Sequence, residues 1–106
     1  MIYMDNAATT RLSSRALEAM MPYLTEQYAN PAGTYSFTNA SNAAMEKARK
    51  QVADVIGAKS AEIFFTSGGT ESDNWALKGV MRANEKKGRH LIISAIEHHA
   101  ILHSAK

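Results

Sequence analysis

Glu62-Ile63-Phe64-Phe65-Thr66-Ser67-Gly68-Gly69-Thr70-Glu71-Ser72-Asp73-Asn74, residues 62–74, is the stretch on which the fold turns. Residues 62–66 form a short run rich in β-formers, which predicts a strand. Ser67-Gly68-Gly69 interrupts it. From about Glu71 to Lys87 the chain reads as a helix, with Leu77, Val80 and Met81 as core contacts. Downstream, His90-Leu91-Ile92-Ile93-Ser94 predicts a second strand, apolar enough for burial on both faces. A new helical pattern starts after Glu97.

Upstream, a helix is expected from Asn39 to Ile56, with Met45, Ala48, Val52, Val55 and Ile56 as its stripe and Gly57 as its stop. Leu17, Met20, Met21 and Leu24 mark another from Arg15 to about Tyr28. Ser13 and Ser14 are its N-cap candidates, and Pro22 is expected to kink or split it. Ile2-Tyr3-Met4 reads as a short strand, and residues 5–10 and 30–34 as loops. The order helix, strand, helix, strand, helix predicts an α/β fold, with a parallel-type sheet and flanking helices. Two strands offer little core against roughly 1.5 kcal/mol of ordering entropy per residue. The pattern also stops within a helix, so the expectation is the N-terminal part of a longer enzyme, incomplete in this chain.

Composition narrows the class. The 106 residues are 45% apolar and 21% charged, ordinary for a globular protein. Twelve basic against ten acidic residues leave +2, too small an excess to argue for nucleic acid or an anionic membrane. Lys86-Lys87-Gly88-Arg89-His90 reads as cations gathered at a helix C-terminus. No apolar run is long enough for a membrane span, and the N-terminus lacks the pattern of a secretory signal, so the cytoplasm is the expected location. With no cysteine, neither a disulfide nor a thiolate site can form within these residues.

Three places could carry chemistry. In residues 66–74 two glycines let a ligand approach the backbone, and the start of the following helix offers N–H groups and a positive dipole end to an anion such as phosphate. Neither the Walker spacing nor the dinucleotide fingerprint is present. The competing reading is a capping box between Thr70 and Asp73 that needs no ligand. The second place, Glu97-His98-His99-Ala100, follows the second strand, where ligands of open parallel sheets lie. There an imidazole could stack on a flat ligand or move a proton, or simply make an ordinary polar contact. His99 and His103, four apart on a helix, could share a metal, but no third ligand is identifiable, so no metal site is assigned. The third place, Asp5-Asn6-Ala7-Ala8-Thr9-Thr10, is read first as a capped loop.

Taken together these pieces resemble the cysteine desulfurases, within the class V aminotransferase group of pyridoxal-phosphate enzymes. The matching segments are residues 5–10, Asn30-Pro31, Ala44 to Arg49, residues 65–74, and Glu97-His98-His99-Ala100. The resemblance covers essentially the whole chain but only the front part of the family's length. It implies the large-domain fold of the pyridoxal-phosphate transferases. Residues 1–12 would be a strand and loop near the substrate site, and residues 13–106 the first part of the large domain. It implies that Gly69 and Thr70 bind the phosphate of pyridoxal 5'-phosphate. It implies that His98 stacks on the cofactor ring as a cofactor-binding and catalytic residue, and that Asn6 and Ala7 lie near the substrate. It also implies L-cysteine as substrate, L-alanine and an enzyme persulfide as products, a sulfur-acceptor or scaffold protein for iron–sulfur or thio-cofactor assembly, and a homodimer. The Schiff-base lysine, the carboxylate facing the pyridinium nitrogen and the nucleophilic cysteine belong to later motifs of the family, so the segment alone is expected to be inactive. Tyr35 stands where many relatives carry His, and Thr38 where they carry Gly. A selenocysteine lyase or other class V enzyme, a truncated binding protein and a metal-binding module are the alternatives.

Overall fold

The computed structural model describes residues 2–106, and among them the regular elements are all helical. They divide into two compact units, one ending at Ile63 and the other spanning Phe64–Lys106.

The first unit contains α1 (Ser14–Thr25) and α2 (Asn39–Ile56). The Ser13 hydroxyl caps α1 by accepting from the Ala16 N–H at 3.2 Å, which selects between the two candidate serines. Pro22 neither splits the helix nor ends it at once. It removes one N–H, and the chain leaves helical geometry a turn later, where the Thr25 hydroxyl donates to the Met21 carbonyl at 2.8 Å. The bounds of α2 are those expected from sequence. Gly57 takes the left-handed conformation at φ 70° and its N–H donates to the Ala53 carbonyl, closing the helix. A 3₁₀ turn, Ser36–Thr38, leads into α2, and Thr38 and Ser41 are buried beside it. Their hydroxyls are satisfied. Thr38 donates toward the carbonyls of Gly33 (2.9 Å) and Tyr35 (2.6 Å), and Ser41 donates to that of Gln27 (2.8 Å). Thr38 thereby ties the loop after Asn30 to the start of α2.

The second unit contains α3 (Gly69–Ala83) and α4 (His99–Ser104), which pack on each other. α3 starts two residues earlier than expected and stops earlier too. Asn84 competes for the last turn, with its backbone N–H and side-chain amide both donating to the Val80 carbonyl. A 3₁₀ turn, Glu85–Lys87, follows, where Arg89 pairs with Glu85 at 2.5 Å.

The sheet expected from the sequence is not formed among the described residues. Residues 2–4, 63–66 and 90–94 carry no ladder, and the boundary between the units falls inside the first long run, between Ile63 and Phe64. Ile63 is extended at φ −100° and ψ 126°, so the local preference is expressed. A strand, however, is defined by hydrogen bonds to a neighbour. The Ile63 carbonyl accepts instead from the Arg49 guanidinium. Ile92 remains 82% exposed and Ile96 94% exposed. No helix among the described residues is long and apolar enough to cross a membrane.

Candidate functional site

The site lies in the unit Phe64–Lys106. Phe64 sets its ring edge-on to Trp75 of α3 with centroids 5.1 Å apart, seating the extended run against the helix it precedes. The chain then turns through Ser67, Gly68 and Gly69. The Thr70–Asp73 capping box is not what closes this turn. Glu71 reaches back instead, and its carboxylate accepts from both the N–H and the hydroxyl of Ser67, each at 2.7 Å. The Thr66 and Ser72 hydroxyls bond at 2.7 Å across the same turn. These contacts have an electrostatic signature: hydrogen bonds from the Ser67 N–H and hydroxyl hold the Glu71 carboxyl below its ordinary value.

No side chain caps the start of α3. Its first-turn N–H groups and positive dipole end are therefore not occupied by a cap. A Cβ placed on Gly68 or on Gly69 would meet no heavy atom within 4 Å, so the backbone here is open to close approach.

His98 is the N-cap residue of α4. Its Nδ1 accepts from the Ala100 N–H at 3.1 Å. The bond fixes the ring's orientation and, in the neutral imidazole, assigns the proton to Nε2. Sequence reasoning left this histidine open as a stacking group, a proton-transfer group or an ordinary polar contact, and did not identify it as the cap of α4. The signal available was its place immediately after Glu97, where the new helical pattern starts.

Thr70, Asn74 and His98 line one open cavity of about 370 Å³, together with His99 and His103. Gly69 immediately precedes Thr70 at the head of α3. Asn74 was quoted in the motif without a role. It sits one turn beyond Thr70, its amide donates to the Thr70 carbonyl at 2.9 Å, and its oxygen accepts from Lys78 at 2.6 Å. The spacing of four could have placed it on the same face. His99 and His103 meet edge-on with ring centroids 5.5 Å apart, and among the described residues no group of three or more His, Asp or Glu could hold a metal.

Asn6 and Ala7 belong to the other unit. They form an exposed turn in which the Ala8 N–H donates to the Asp5 carbonyl at 3.1 Å and the Thr10 hydroxyl to the Asn6 carbonyl at 3.0 Å.

Comparison with known proteins places this geometry in a family. The chain is 54% identical over 103 residues to cysteine desulfurase IscS of Methanosarcina thermophila, covering 97% of this chain and 26% of that relative. It is 49% identical over 106 residues to cysteine desulfurase of Rattus norvegicus, covering 99% of this chain and 24% of the relative. Among solved structures it is similar to a NifS-like protein, with a TM-score of 0.88 and 47% identity over 97% of this chain and 28% of the other. The chain thus spans about a quarter of the length of these relatives. The description "aminotransferase class-V" matches residues 2–106, and the chain belongs to that family.

Proposed function

We propose that this chain is the cofactor-facing N-terminal part of a pyridoxal-phosphate-dependent cysteine desulfurase. In that enzyme L-cysteine would yield L-alanine, and its sulfur would pass through a protein persulfide to an acceptor or scaffold protein. One observation carries the reading: the head of α3, lacking a side-chain cap, and the fixed imidazole of His98 border the same cavity.

The residues present fit the cofactor. The phosphate is a dianion, and the first turn of α3 supplies N–H donors, the Thr70 hydroxyl and a positive dipole end. The open space over Gly68 and Gly69 admits a group close to the backbone. Gly69 and Thr70 would hold the phosphate. When bound, the cofactor ring supplies an electron sink for bond cleavage at the substrate. His98 would lay its face on the ring. With Nδ1 occupied by the Ala100 N–H, Nε2 is the atom at which His98 can hold or move a proton. Asn6 and Ala7 would border the substrate.

The extended apolar runs around residues 63–66 and 90–94 fit strands of a parallel sheet completed by further strands, a reading supported by the bare Ile92. The homodimer belongs to the same proposal and is checked by the mass in solution.

The test is reconstitution of the complete enzyme with pyridoxal 5'-phosphate, followed by assays for alanine and sulfide. Thr70→Val should weaken cofactor binding, and His98→Ala should abolish product formation while binding persists. Turnover of selenocysteine but not cysteine would move the chain to the lyase reading. No cofactor binding by the complete protein would overturn the proposal.

A further inference from the structure

An acidic residue beside a site meant for an anion calls for an explanation. Glu71 is the third residue of α3 and is ionised at neutral pH, yet its neighbours Gly69 and Thr70 are the proposed phosphate ligands. Left pointing at the phosphate, it would repel it.

The geometry turns it elsewhere. One oxygen of Glu71, Oε2, takes both the N–H and the hydroxyl of Ser67 at 2.7 Å. Glu71 is absent from the lining of the His98 cavity. It lines a groove along α3 with Ser67, Thr70, Asn74, Lys78 and Arg82, which shares Thr70 and Asn74 with the His98 cavity and brings two cations beside the carboxylate. We propose that Glu71 is a positioning residue for the phosphate-binding turn. Its carboxylate clasps Ser67, fixes the Gly68-Gly69 segment before any ligand arrives, and directs its charge at the two Ser67 donors. An ordinary capping box would bond the N-cap N–H. Here the clasp is made one residue earlier, on Ser67, and the N-cap residue Gly68 has no side chain to cover the first-turn donors. The lowered pKa of Glu71 agrees with a carboxylate stabilised by these two donors. The Thr66–Ser72 bond closes the same turn independently.

This inference rests on the cofactor reading above, and the experiment separates the two. In the complete enzyme, the dissociation constants of pyridoxal 5'-phosphate and of phosphate-free pyridoxal are measured by absorbance titration for wild type, Glu71→Gln, Glu71→Asp and Glu71→Ala. Gln keeps an acceptor at the right reach without the charge, and Asp keeps the charge but loses the reach. Glu71→Ala and Glu71→Asp should weaken the phosphorylated cofactor by about five- to tenfold, the scale of losing a helix-start hydrogen bond. Glu71→Gln should stay near wild type. Pyridoxal affinity should be unchanged throughout, which also certifies that each variant is folded. Equal losses for both cofactor forms, no loss in Glu71→Ala, or a Glu71→Gln as weak as Glu71→Ala would overturn the clasp. A wild type with no preference for the phosphorylated form would overturn the cofactor reading, and the clasp with it.

Discussion

His98 has two separable duties, and a pair of substitutions divides them. Its Nδ1 accepts from the Ala100 N–H at 3.1 Å and so caps α4, a helix of six residues. Removing an N-cap acceptor costs about 0.5–2 kcal/mol. The imidazole is exposed, which places His98→Ala in the lower part of that range, at about 0.5–1 kcal/mol. Local opening of α4 should then speed hydrogen exchange of the Ala100 amide by about two- to fivefold. Asn is among the best N-cap residues, so His98→Asn should restore the protection. It restores neither the aromatic face nor Nε2, so alanine formation by the complete enzyme should stay lost in both variants. Exchange at Ala100, read by mass spectrometry on peptides spanning α4, is compared with product formation. Unchanged exchange in His98→Ala would show that the ring is not the cap. Activity retained in His98→Asn would show that the ring is not needed for the chemistry.

Other expectations concern stability. A Cβ on Gly33 would lie 2.7 Å from Thr38 Cγ2 and 3.1 Å from the Asn30 carbonyl, and Thr38 is buried and tied by two hydrogen bonds. Gly33→Ala should therefore cost about 1–3 kcal/mol by overpacking, and an unchanged denaturation midpoint would contradict it. Thr38→Val keeps the shape and removes the hydroxyl from the Gly33 and Tyr35 carbonyls, with an expected loss of about 1–3 kcal/mol in the same assay. Glu71 titrates below its ordinary value of 4.5 in the folded state. Its contribution is fully present above that pH and lost as pH falls through the folded value, so Ser67 amide protection should fade on acidification in wild type and show no such step in Glu71→Gln. This segment alone, with Leu24, Val55, Ile56, Ile92 and Ile96 exposed, should melt without a sharp cooperative transition, and a calorimetric peak near 0.7 kcal/mol per residue would refute that.

What was legible in the sequence follows the range of the forces involved. The bounds of α2 could be read because its stop is a single residue, Gly57, adopting φ 70°. The α1 cap was legible to within one residue, since Ser13 acts three positions from its partner. The start of α3 was misjudged because two carboxylates competed for the turn. Asp73 has the spacing of a capping box with Thr70, but Glu71 reaches Ser67 with two donors at once. The extended runs were legible as extended and apolar. Their pairing was not, because a ladder depends on a second strand and no local signal supplies one.

The same contrast explains why the parts of the candidate site are ordered although little else in their unit is buried. Ala100 is the buried apolar residue recorded in Phe64–Lys106, while Phe64, Phe65, Trp75, Val80, Ile92 and Ile96 remain exposed. Each large side chain left in water forgoes about 1.5–3 kcal/mol of burial. The turn before α3 does not draw on that source. Its closing bonds, Thr66 to Ser72 and Ser67 to Glu71, span six and four residues, and the His98 cap spans two. Loop closure over so few residues is entropically cheap, and each bond satisfies a backbone donor or hydroxyl that would otherwise compete for the ligand. The positions proposed to hold the phosphate and the ring are therefore set by local hydrogen bonding. The apolar surface beside them is left to contacts made over longer range.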